Sequence, residues 1–196
     1  MKTRAIQKCS FKLSFVAVSF LFLLSAPVVR AQIQDRPKPG PEQKKLEVFV
    51  GEWKYEGSVS DTPLGPGGKF AGKQTTRMVL DGLFLEGRAE DKGIYGGKEI
   101  VYKGVFIEWF DSITKTYVTH SYDNDGFAAN GVTTVSGNTW ASTGTQTDRK
   151  GKIYKTKSSS TFSSDGKTVI GKNELSTDDG KTWIPLYEIT LTKVSK

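Results

Sequence analysis

From Gly51 to the C-terminus apolar and polar residues alternate with a period of two, interrupted every eight to twelve positions by turn residues. In Glu52–Ser60, Trp53, Tyr55, Gly57 and Val59 alternate with Glu52, Lys54, Glu56 and Ser58. Successive side chains of a strand point to opposite faces, so this pattern predicts a strand with one buried face. The same reading predicts strands over Phe70–Leu80, Leu83–Glu90, Glu99–Phe110, Tyr117–Tyr122, Phe127–Val135, Thr139–Thr147, Lys152–Phe162, Lys167–Leu175 and Trp183–Val194. Asp81-Gly82 is a hairpin signal, and Asp91–Gly97 reads as a Gly-rich loop. Short connections make sequential strands antiparallel. A meander of about ten strands leaves two open edges, and closing it removes both. The prediction is therefore an all-β, ten-stranded antiparallel up-and-down barrel, with an interior wide enough to hold a ligand. A flattened two-sheet sandwich is the alternative that the same pattern allows.

One helical stretch precedes the strands. Pro41-Glu42 suits a first turn, Leu46, Phe49 and Val50 fall on one face, and Gly51 can end the element. Two turns do not hold alone, so this helix is expected to cap one end of the barrel. Gln32–Gly40 is polar and Pro-rich and reads as a flexible lead-in. Residues 1–31 combine Lys2, Arg4, Lys8 and Lys12, an apolar run over Phe15–Ala26, and small residues ending at Ala31. That is the pattern of a secretory signal peptide cleaved near Ala31, followed by one domain over 41–196. The apolar run is too short for a membrane anchor, and Cys9 precedes it, so it cannot be a lipidated residue following the run. The expected location is secreted or periplasmic. The leader holds five of the 28 basic residues and none of the 21 acidic ones, so most of the net charge of +7 leaves with it. Basic charge then gives no case for nucleic acid. The remaining chain has no cysteine, hence no disulfide, thiol nucleophile or thiolate metal site.

Two resemblances agree with the barrel. Gly51-Glu52-Trp53, after a short helix and opening the first strand, resembles the G-x-W signature of the calycins. That likeness implies a Trp packed across the closed end with a basic last-strand residue, here Lys193, against it. Pro39–Gly57, the Gly65-Pro66-Gly67-Gly68 loop and Gly171–Trp183 resemble the DUF1579 family of mostly secreted bacterial proteins of unknown function. The family resemblance implies a lipocalin-like barrel and carries over no catalytic residue. Ser176–Trp183 also fits the Asp-box pattern S-x-D-x-G-x-T-W, with a degenerate copy at Ser163–Thr168. Two copies cannot make a propeller, and the motif reads as turn chemistry.

Candidate chemistry is sparse. Trp53, Tyr102, Phe106, Trp109, Tyr122 and Trp140 form an aromatic set expected to line the barrel. Glu86, Arg88 and Glu108 lie in apolar strands; with Arg77 they offer an Arg–Glu arrangement that could grip a polar ligand head, or they face solvent. His120 is the single histidine; haem ligation is its minor reading and a plain strand position the other. The candidate ligand-binding set is Trp53, Arg77, Glu86, Arg88, Tyr102, Phe106, Glu108 and His120, with no catalytic or metal residue assigned. Asp123–Gly126 resembles the start of a calcium loop without its downstream Glu, and the basic run Arg149–Lys157 reads as a solvated hairpin. The expected function is non-catalytic binding of a small, largely apolar ligand. A cavity enzyme is one alternative, and association through the outer face of Glu99–Phe110 is the other.

Overall fold

A computed structural model describes residues Arg36–Val194; the predicted leader and its cleavage site lie outside the described residues. Helix α1 spans Pro41–Lys45 and a 3-10 turn follows at Leu46–Phe49. Ten strands come next: β1 Gly51–Val59, β2 Gly68–Val79, β3 Phe84–Tyr95, β4 Lys98–Asp111, β5 Thr116–Asp123, β6 Ala128–Ser136, β7 Thr139–Thr147, β8 Ile153–Phe162, β9 Thr168–Ser176 and β10 Ile184–Lys193. Each pairs antiparallel with its sequence neighbour, and β1 also pairs with β10. The sheet is a closed barrel, not a sandwich, and no strand is left with a free edge.

Two local expectations need correction. The predicted single helix changes to 3-10 winding at Leu46, which is tighter and swings Phe49 and Val50 against the barrel floor. The predicted loop at Asp91–Gly97 is instead the end of β3, and only Gly96-Gly97 turn, both at positive φ. Gly93 does not break the strand: it pairs with Phe70 on one side and Ile100 on the other. A Cβ there would lie 2.4 Å from the Tyr95 ring, so the glycine makes room for that ring.

One end is shut by aromatic packing. Leu46 is fully buried, and the Phe49 ring sits 4.8 Å from Trp140 and 4.9 Å from Phe162 in edge-on contacts. Trp53 donates its indole N–H to the Phe49 carbonyl at 2.8 Å. The Lys193 ammonium lies 5.0 Å over the Trp53 ring, the arrangement that the G-x-W resemblance implies. The Tyr117 hydroxyl, 3.0 Å from both the Glu42 carbonyl and carboxylate, ties α1 to the sheet. A smaller apolar cluster of Tyr154, Leu175 and Leu186, with Val59 and Leu64, sits toward the other end.

The Asp-box segment is the β9–β10 turn. The Asp178 carboxylate accepts the amides of Lys181 and Thr182 and the Thr182 hydroxyl, which holds its pKa down at about 2. Ser176 Oγ accepts the Gly180 amide at 2.8 Å. Ser163 and Asp165 repeat this device in the β8–β9 turn, as turn chemistry requires.

Candidate functional site

Cross-strand register assigns every strand position to one face. Trp53 opposes Gln74, Gln74 opposes Ala89, and Ala89 opposes Gly104, so all four point inward. The same bookkeeping extends round the barrel. On β1–β4 the inner wall carries Tyr55, Phe70, Leu85, Tyr95, Tyr102, Phe106 and Phe110, with Gly57, Gly72, Gly87, Gly93 and Gly104 between them. On β5–β9 it carries Tyr117, Trp140, Phe162 and Val169 in the closed end, Tyr154 and Leu175 toward the other end, and Ser121, Ala129, Gly131, Ser142, Gly144, Thr156, Ser158 and Ser160 between them.

The large side chains lie flat along their wall. A Cβ on Gly87 would fall 2.1 Å from the Phe106 ring, because that ring is folded onto the glycine. The short side chains in the middle of β5–β8 cannot by themselves reach across a ten-stranded barrel. Thr133 and Ser142, cross-strand neighbours on β6 and β7, share one hydrogen bond. Ser121, Thr156, Ser158 and Ser160 are half-buried.

Carboxyl groups interrupt the lining. Glu108 is 8% exposed between Phe106 and Phe110, opposite Thr119 and Leu85. Burial raises its pKa from 4.5 to about 7, opposed by the Thr119 hydrogen bond. Asp91 is 6% exposed; the Tyr55 hydroxyl donates to its Oδ2 at 3.0 Å, while Oδ1 has no partner. Burial pushes the Asp91 carboxyl above its ordinary range, against the pull of the Tyr55 bond. Asn173 Oδ1 is likewise buried and unpaired. Asp123 is different: it accepts the Tyr102 hydroxyl and the amides of Asp125 and Phe127, so the calcium-like Asp123–Gly126 segment is a self-satisfied turn. Burial raises the phenols of Tyr55 and Tyr102 strongly, and that of Tyr95 to about 12, with nearby Asp91 adding to each.

The candidate residues therefore separate. Trp53, Tyr102, Phe106 and Glu108 face inward, Trp53, Phe106 and Glu108 at the closed-end cluster and Tyr102 farther along β4. Arg77, Glu86 and Arg88 face outward, where Glu86 Oε1 accepts from both guanidiniums at 3.0 Å. The expected Arg–Glu grip inside the cavity is corrected: register turns this trio to solvent, with both arginines exposed. His120 also faces outward, its ring 5.4 Å from Trp109. Trp109 and Tyr122, expected to line the barrel, lie on that outer face too. Sequence reading missed Asp91, assigned to a loop, and Asn173 and the serines. Hydroxyl residues look the same on either face, and only register tells them apart.

Two open depressions of about 650 and 740 Å³ lie across β10, β1, β2 and β3. The first is lined by exposed Lys54, Lys73, Glu90 and Lys92 and by the inward residues Tyr55, Gly72 and Asp91. No cluster of three or more metal-ligating side chains occurs among the described residues.

A family model, a protein of unknown function termed DUF1579, matches residues 38–193. No curated protein matches. Among solved structures, Rv2717c from M. tuberculosis is similar at 11% identity and a TM-score of 0.57, over 80% of this chain and 99% of that one. That likeness bears on the fold alone. A de novo designed fluorescence-activating β-barrel aligns at 14% identity and TM-score 0.41, over 76% of this chain and 95% of its own. The S-type phycobiliprotein lyase CPES from Guillardia theta aligns at 11% and 0.43, over 79% and 93%. Both scores are too low to bear on function.

Proposed function

The chain belongs to the DUF1579 family of proteins of unknown function, and from that premise we propose that it is an exported barrel that binds a small molecule in its lumen without transforming it. One observation carries the reading: between the closed-end cluster and Tyr154 toward the other end, the inward positions of β5–β8 are glycine, alanine and short hydroxyl residues. The largely apolar ligand expected from the alternation pattern gives way to one with a polar part, since both walls present polar groups. Glu108 is a titratable group of the kind a cavity enzyme needs, but its neighbours are Thr119 and apolar side chains. The one histidine is outside the lumen, which favours binding over catalysis.

Native mass spectrometry of protein purified from its own host tests this directly. We expect an adduct of a few hundred daltons that disappears in Ser158→Trp, where an indole would occupy the open side. Wild-type protein free of any adduct, with lumen amides that exchange as slowly as the closed end, would sink it.

A second reading rests on the outer face of β4. Val101, Val105, Ile107 and Trp109 lie there beside Phe84 and Val118, with Tyr122 55% and Val132 45% exposed. A solvated sheet face does not require so apolar a stripe. Sedimentation across a range of concentrations separates association through this stripe from a monomer.

A further inference from the structure

We infer that the lumen is selective for an organic cation, an ammonium head held at Asp91; this rests on the lumen-binding reading and names its ligand class. Three inward-facing charges of the described strands are acidic, Asp91, Glu108 and Asp123; the two basic ones are Lys193, which lies over Trp53 in the closed end, and Lys98, exposed at the start of β4 opposite Tyr95.

Asp91 is the acceptor left open. Asp123 is saturated by its turn and by Tyr102. Asp91 makes one bond, from Tyr55, and its Oδ1 is buried, inward and unpartnered. Buried polar atoms in folded proteins are paired by protein or by something bound, so an unfilled carboxylate oxygen marks a place for a donor.

Its surroundings specify what kind of donor. Tyr102 is the direct cross-strand partner of Asp91, and the Tyr95 ring folds over Gly93, the next inward position on β3. Tyr55 supplies a third ring. A carboxylate flanked by aromatic faces is the surrounding that attracts a cation, through charge pairing and the ring quadrupoles together. A neutral alcohol gains only a hydrogen bond there, and a carboxylate ligand is repelled.

Three ligands with one skeleton test this: hexylammonium, hexan-1-ol and hexanoate, titrated by calorimetry at neutral pH. The expected order is hexylammonium tightest by about tenfold, then hexanol, then hexanoate. Asp91→Asn keeps an oxygen for Tyr55 and should bring the ammonium and alcohol affinities level. Tyr95→Leu, which leaves the carboxylate alone, should weaken hexylammonium several-fold and spare hexanol. Hexanol or hexanoate binding as well as hexylammonium would overturn the cation assignment while leaving lumen binding standing. An ammonium preference that survives Asp91→Asn but disappears in Glu108→Gln would move the site away from Asp91 and refute it. Failure of all three ligands to bind would refute this inference and count against the lumen reading as well.

Discussion

The closed end and the lumen wall stand on the same strands yet follow opposite packing rules. At the closed end Trp53, Trp140, Phe162 and Leu46 interlock with Phe49, and the Trp53 indole N–H has its carbonyl partner. Midway along β6–β8 the inward positions shrink to Gly131, Gly144, Ser158 and Ser160, neighbours on one wall. Stability is concentrated where the helix plugs the barrel. The rest of the inner wall is free to be shaped by what enters it. The difference shows that alternation alone does not define a core: inward is a direction, and only residue size decides whether it is filled.

Mutations at each end can break this contrast. Trp53→Ala should cost the most, about 3–5 kcal/mol in urea unfolding, because it empties the centre of the closed end and removes the bond to Phe49. A loss below about 1 kcal/mol would show that the plug is not where stability lies. Glu108→Gln should act next, and only at high pH. The folded-state pKa of Glu108 is above its ordinary 4.5, so the native state holds a proton that the unfolded chain releases as pH rises from 4.5 to about 7. Stability therefore falls across that window, and the full cost of about 3 kcal/mol persists above it. The Gln variant should match wild type below pH 4.5 and exceed it above pH 7; equal stability at both ends would contradict a buried carboxyl. Two serine-to-alanine changes sharpen the comparison further. Ser176, 1% exposed and bonded to Gly180 and Asp178, should cost about 1–2 kcal/mol when its hydroxyl is removed. Ser158, on the open wall, should change stability by less than about 0.5 kcal/mol, and a larger loss there would mean that the wall is packed.

The barrel was legible in the sequence because period-two alternation and short turns are local signals. The gaps left between the predicted strands, among them 136–138 and 148–151, are connections that the fold uses. The floor was legible through Gly51-Glu52-Trp53. The lumen was not. Arg77, Glu86 and Arg88 sit among apolar residues, which left both faces open to them; their neighbours on β4 belong to an apolar outer stripe, so apolar company did not tell the faces apart. Asp91 looked like a loop residue because Gly93, Gly96 and Gly97 follow it. Two of those glycines turn the chain and one makes room for a ring, a distinction that only three-dimensional neighbours supply.

Closure by β1 against β10 also bears on how the chain folds. Trp53 pairs with Gln74, close in sequence, and with Lys193, at the far end of the domain. Every other strand can find its partners through a short hairpin, so the seam is the one contact that must wait for almost the whole chain. Loop-closure entropy makes such a step slow, which places refolding in the millisecond-to-second range typical of non-local β topologies. Because Trp53 lies at the seam and under the helix, its fluorescence should report the final event of folding, after the hairpins have gained their backbone signal.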